Sequence, residues 1–172
     1  MADSHWRWLY NVYGAPTPMI RLGNFQAGAT AEVEDGELIY LTGGNWIPVA
    51  ADQDLSAGVG AFAAKKIKNG DRAGFYPIIV PRPGDVFRMR LQTAAGSALG
   101  TAVYPSSTGY SEYVHTSGSN ILGNIADGPH IPEQGSLSVD GSPDAGTTLR
   151  SQNRVGISIQ ASNSYYSQLF TA

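Results

Sequence analysis

No cysteine occurs in the chain. Disulfides, thiolate metal sites and cysteine nucleophiles are therefore excluded. Durability has to come from packing or from association between subunits. Charge is scarce as well: 15% of the residues are charged and the formal net charge is −3. The charges balance through Leu91, and the whole deficit lies after it. Neither half carries the basic footprint that nucleic acid or an anionic membrane calls for, so neither is expected as a partner. No apolar run approaches the ~18 residues of a spanning helix. The opening residues MADSHWRW show no basic stretch followed by an apolar one, so no signal peptide is visible. A soluble product made in the cytoplasm is expected.

Reactive constellations are also missing. His5, His115 and His130 are the three histidines and lie far apart in sequence. No HExxH, no pair at ligand spacing and no G-x-S-x-G elbow accompanies them. Each reads as a surface or loop residue, with His130 in a loop between two prolines. Glu32/Glu34, Asp52/Asp54 and Asp140/Asp144 are acidic pairs, but none sits in a twelve-residue calcium loop ending in Glu. Asp residues that hydrogen-bond their own backbone in turns explain them better. The glycine clusters at 96–100 and 141–146 have no helix behind them and no G-K-[ST], so no phosphate cradle is expected. The reading is a non-enzymatic protein without cofactor or metal.

What the chain does have is glycine and proline, 21 and 10 in 172 residues, above the average usage of roughly 12%. They are spread along the length, which favours many short strands over long helices. The best-patterned stretch runs from Gly36 to Leu91. In VFRMRL at 86–91, Phe87, Met89 and Leu91 alternate with Arg88 and Arg90, the period of a strand with one wet face. ELIYL at 37–41 and NWIPVA at 45–50 flank Thr42-Gly43-Gly44, and Asp35-Gly36 is a good hairpin dipeptide. FYPIIV at 75–80 contains Pro77, which cannot donate to a ladder, so this run is expected at a sheet edge or with a bulge. KKIK at 65–68 reads as a solvated turn. After Leu91, strand candidates are TAVY at 101–104, EYVH at 112–115, SNILGNIA at 119–126, SLSVD at 136–140 and RVGISIQ at 154–160. Residues 127–135 read as a loop. Strands at roughly ten-residue spacing predict an all-β fold, a compact β-barrel or sandwich of short antiparallel strands with an extended N-terminal arm. Residues 1–18 are taken as the arm and 19–172 as one β domain, with a core at 28–91 and an outer lobe at 92–172.

The arm carries Trp6, Arg7, Trp8, Leu9, Tyr10 and Tyr13, after which GAPTP breaks regular structure. So many exposed aromatics on a monomer are a liability. Either the arm folds back as an edge strand, or it docks on another subunit, since interfaces are rich in aromatics. Partner contacts are expected at Trp6, Arg7, Trp8, Leu9, Tyr10 and Tyr13, with Arg88 and Arg90 on the wet face of their strand.

Residues 28–91 carry a resemblance. DGELIYLTGGNWIPVA at 35–50, then Asp54, a small glycine-rich strand, Gly70-Asp71-Arg72, and FYPIIVPRPGDVFRMRL at 75–91 resemble the head-decoration, or cement, proteins of tailed bacteriophages. The resemblance covers about a third of the chain and includes no catalytic signature. It implies a structural protein of the virion, made in the host cytoplasm and placed on the capsid surface. Such a protein associates with itself, as a trimer, and binds the major capsid protein on the mature shell, bridging neighbouring subunits. The C-terminal half matches only in style. A carbohydrate- or receptor-binding β module of a phage tail or fibre is the alternative, because exposed Trp and Tyr also stack on sugars.

Overall fold

The computed structural model describes residues 6–26, 32–49, 53–68, 70–71, 73–91, 99–105, 114–130 and 154–170. Its strands are β1 (Arg7–Asn11), β2 (Ile20–Phe25), β3 (Leu38–Thr42), β4 (Asn45–Pro48), β5 (Gly60–Ala63), β6 (Gly74–Ile79), β7 (Asp85–Arg90), β8 (Ala102–Pro105), β9 (Val114–His115), β10 (Gly123–His130) and β11 (Arg154–Ile159). A 3-10 turn at Ala161–Asn163 and one helical turn, α1 (Tyr166–Leu169), follow. The strands form a six-stranded sheet, β1-β7-β11-β10-β8-β9, and a five-stranded sheet, β2-β6-β5-β3-β4. Every strand pair is antiparallel. The fold is an all-β sandwich, and among the described residues neither sheet closes into a barrel.

The main core lies between the sheets. Phe87 and Met89 from β7, Val155 and Ile157 from β11, Ile125 from β10 and Val103 from β8 meet Leu38 from β3 and Phe62 from β5. Residues on both sides of Leu91 therefore fill one cluster. Trp6, Phe62 and Phe87 stack at its centre, with ring centroids 4.6–6.5 Å apart, the spacing at which aromatic pairs add to their area burial. Because β-strand side chains alternate between faces, the five-stranded sheet also has a second face to cover. Leu38 enters the main core while Ile39 enters a second cluster with Phe25, Trp46, Ala61, Ala63 and Ile78. Tyr165, Tyr166 and Leu169 from the chain's end pack on that cluster.

The five-stranded sheet curls. Its two outer strands approach at one end, where Asn24 Nδ2 donates to Asn45 Oδ1 at 3.1 Å. There the Trp46 indole fills the space a side chain at position 23 would need. The β3–β4 hairpin turns on Gly43 and Gly44, whose φ values of +53° and +82° suit a two-residue turn that only glycine adopts cheaply.

Two sequence expectations need correction. Pro77 lies in an interior strand, since β6 sits between β2 and β5, and the β2–β6 register is regular. The Val80 N–H donates to the Met19 carbonyl, so by the antiparallel alternation the Pro77 backbone faces β5, away from β2. Its carbonyl accepts from the Ala64 N–H at 3.0 Å, just past Ala63, where β5 ends. The missing donor therefore falls where that ladder runs out. The 127–135 loop is the second. Its first residues, through His130, continue β10, with His130 paired to Arg154 across two register shifts. Bulges absorb the Gly and Pro that read as a loop. The SLSVD run, Asp52, Asp140, Asp144 and His5 lie outside the described residues.

Candidate partner interface

The N-terminal segment folds back and becomes the edge strand of the six-stranded sheet. β1 pairs with β7 as Arg7 with Arg88, Trp8 with Phe87, Tyr10 with Val86, and Asn11 with Asp85, the register slipping between Trp8 and Tyr10. Leu9 is thus an extra residue in a bulge, which twists and bends an edge strand. The bulge has a consequence for the side chains. It keeps Trp8 and Asn11 on the inner face and Arg7 and Tyr10 on the outer one.

The inner pair converges on one carboxylate. Asp85 is 1% exposed. Its Oδ1 accepts from Trp8 Nε1 and from Asn11 Nδ2, each at 2.9 Å. Arg82 closes a bidentate fork, Nε to Oδ2 and Nη2 to Oδ1, both at 3.1 Å, and its backbone N–H adds a bond to Oδ2. Burial by itself would raise the Asp85 carboxyl. The bonds from Arg82, Trp8 and Asn11 outweigh it and hold the group below the usual carboxylate range. Arg82 Nη2 also donates to the Thr17 carbonyl. Arg82 to Asp85 is a tight turn with Pro83 second and Gly84, at φ +83°, third. The turn therefore clamps both ends of residues 8–17.

The outer pair meets a polar face. Arg7 Nη1 lies 3.3 Å from Asp35 Oδ2. Tyr10 donates its hydroxyl to Asp127 Oδ2 at 3.0 Å, reaching across β7 and β11 to β10. Partial burial, together with that bond and the Asp127 charge, raises the Tyr10 phenol. Arg88 stands beside Arg7 and opposite Gly156. Two residues on along β7, the backbone of Arg90 pairs with Arg154. Arg7, Tyr10 and Arg88 are therefore brought together on one outward face, with Arg90 in register beyond them. Trp6 goes elsewhere: it is 2% exposed and part of the main core. Trp8 is partly buried against the same core and Leu9 is half-buried in the bulge. Tyr13, 80% exposed, stands at the strand's end against Gly84, next to Val12.

Sequence reasoning missed Asp85, Asn11 and Asp127 as organisers of this face. Arg82 and Asp85, three apart around Pro-Gly, were the available signal. It also missed Glu37, which is 3% exposed and accepts from the Glu34 N–H through Oε2 at 2.7 Å. Burial, with the nearby Glu34 charge and against that hydrogen bond, raises the Glu37 carboxyl from 4.5 to about 7.

Three further charged residues are held by local contacts. Lys66 is gripped by Glu32 and Glu34 at 2.7 and 2.6 Å, whose bonds raise its ammonium. Lys65 lies 5.8 Å over the Tyr76 ring. Asp54 accepts from the Ser56 N–H in its own turn. Among the described residues no group of three or more His, Asp or Glu is placed to hold a metal, and no helix is long and apolar enough to cross a membrane. Comparison with known proteins finds no family model that matches the chain, no similar curated protein and no similar solved structure.

Proposed function

We propose that this is a non-enzymatic structural protein of a virion, which binds the outer surface of the mature capsid and stabilises it by bridging major capsid protein subunits. The observation that carries the reading is the collection of Arg7, Tyr10 and Arg88 on one face of the six-stranded sheet. That face rests on a strand fixed from behind by a buried carboxylate. A rigid, charged face suits contact with a repeating lattice because little ordering is left to lose on binding. The likeness of residues 28–91 to phage cement proteins supports the same reading. Binding only the mature lattice would stabilise that state by mass action. The protein acts as a homotrimer in this reading.

The test is co-sedimentation of the purified protein with expanded and unexpanded capsids, alongside the melting temperature of the shell. Binding to expanded shells alone, with a raised melting temperature, is the expected result. A protein that ignores expanded capsids, or leaves their melting unchanged, sinks the proposal. The mass in solution tests the trimer separately. Exposed Tyr13 also favours a second reading, a sugar-stacking module. A glycan-array hit abolished by Tyr13→Ala would favour it.

A further inference from the structure

The outer edge of β2 combines open backbone groups with exposed apolar side chains. β2 ends its sheet, and its bonded pairs with β6 fall at the odd residues from Met19 to Phe25. By the same alternation Ile20 and Leu22 turn their N–H and C=O groups outward. Among the described residues nothing bonds to them there. Asn24, the next outward position, is already bridged to Asn45. What is left is a short ladder edge with two outward-facing residues.

Side chains continue the site on both faces of the strand. On one face Ile20 is 58%, Leu22 68% and the neighbouring Phe75 70% exposed. The register places Phe75 opposite Asn24 and Pro77 opposite Leu22, so these apolar groups are contiguous. On the other face an open groove of about 580 Å³ runs along Ile20–Leu22 and is walled by Tyr165, Leu169 and Phe170. Among the described residues Arg21 is the one charged residue lining it, and it makes no ion pair with any of them. A cation beside an apolar groove is complementary to an anion on an otherwise apolar ligand.

We infer that the Ile20–Leu22 edge and its groove form a β-augmentation site for an extended, alternating polypeptide segment that carries a carboxylate beside Arg21. Main-chain bonds to an edge supply affinity in this mode, and alternate side chains supply specificity. A second copy fits less well. β2 contains no acidic residue, so two β2 strands paired across a two-fold axis leave both Arg21 side chains without a counter-charge. Pairing that sets Arg21 against its own copy places like charges directly opposite. The occupant is therefore a different segment. The site stands on its own geometry, independent of capsid binding.

The probe is a fluorescein-labelled nonapeptide of alternating threonine and valine with glutamate replacing the central threonine, measured by fluorescence anisotropy. Its control has lysine at the centre. The glutamate peptide is expected to bind at least ~10-fold more tightly, a difference of about 1.4 kcal/mol. Arg21→Glu should reverse that preference. Leu22→Pro should abolish binding of both peptides, because it removes an outward donor and leaves the β6 ladder whole. Circular dichroism checks that each variant folds, and the Arg21→Glu reversal stands even if Leu22→Pro does not. No binding at millimolar peptide overturns the inference. So does equal binding of the two peptides, or a preference that survives Arg21→Glu. A concentration-dependent dimer in sedimentation velocity that Leu22→Pro dissolves would assign the edge to a second copy and overturn it too.

Discussion

β1 and β2 are both edge strands from the first 25 residues, and they treat their edges in opposite ways. β1 is bulged at Leu9 and carries Arg7, and two of its side chains are pinned to Asp85. Bulges and charges are the devices by which edges are protected from unwanted pairing. β2 is regular through six residue pairs and exposes Ile20 and Leu22, and its only charge is Arg21. One edge therefore presents side chains on a pinned strand, the other an open main chain. Aromatic richness left the N-terminal segment free to fold back or to dock on another subunit. In the fold Trp6 and Trp8 turn inward while Tyr10 and Tyr13 stay outside, and the open apolar edge belongs to the plainer strand.

The largest expected effect removes what pins β1. Asp85→Ala leaves Arg82, Trp8 Nε1 and Asn11 without their acceptor in a buried site. Breaking a buried pair from one side costs about 3–5 kcal/mol, and urea unfolding should read a loss of that size. Hydrogen exchange sharpens the contrast: amides of Arg7–Asn11 should lose protection while those paired between β2 and β6 keep theirs. Equal loss in both strands would show that β1 is not held separately.

A pH dependence comes next. Glu37 follows Gly36, whose carbonyl accepts from the Trp6 N–H at 2.9 Å at the start of β1. Its folded pKa of about 7 lies above the ordinary 4.5, so the folded state holds this proton more tightly than the unfolded chain. Its contribution is then fully present below about 4.5 and is lost as pH rises through 7. The gap corresponds to about 3 kcal/mol at most. Melts at pH 5 and pH 8 should differ in that direction, and Glu37→Gln should flatten the difference. An unchanged slope in Glu37→Gln would assign the pH dependence to another group.

Much of this architecture was legible in the sequence, and the rest was hidden for definable reasons. Phe87 and Met89 alternate with Arg88 and Arg90, and Val155 and Ile157 alternate with Gly156 and Ser158. Both runs fold as strands with the apolar set inside. Gly43-Gly44 makes its turn, and the aromatic arm proved to be an edge strand, one of the two arrangements its composition allowed. Pro77 misled because proline excludes a donor but does not say which neighbour needed it. Leu9 could not be read as a bulge, since a bulge exists only relative to a partner strand. The Asp85 cluster draws two of its donors, Trp8 and Asn11, from more than 70 positions away, and only the Arg82 donors three residues off stood within reach of the sequence. The β2 edge was missed because openness is a property of sheet order, which no single strand encodes.

A smaller effect tests the curl that brings β2 to β4. A Cβ at Gly23 would lie 2.5 Å from Trp46 Cδ1 and 3.0 Å from Ile78 Cγ2. Gly23→Ala must push the indole aside, and overpacking of this kind costs about 1–3 kcal/mol. The loss should appear in urea unfolding together with a changed Trp fluorescence. A neutral result would mean the two strands part easily and that the open edge extends past Leu22.

The smallest effects on stability are the most informative about function. Arg7→Ala breaks an ion pair whose side chains are 36% and 52% exposed, and such surface pairs contribute under ~1 kcal/mol. Leu22→Ala trims a residue that is 68% exposed, which should cost within about 0.5 kcal/mol. Melting curves should therefore barely separate the two variants from the parent protein. Binding should separate them from each other. If the proposed capsid contact holds, Arg7→Ala should weaken co-sedimentation, increasingly so at low salt where screening is least, and should leave the peptide anisotropy unchanged. Leu22→Ala weakens the peptide and leaves the capsid alone. If either variant impaired both, the two edges would serve one surface, and the division between a side-chain face on β1 and a main-chain edge on β2 would fail.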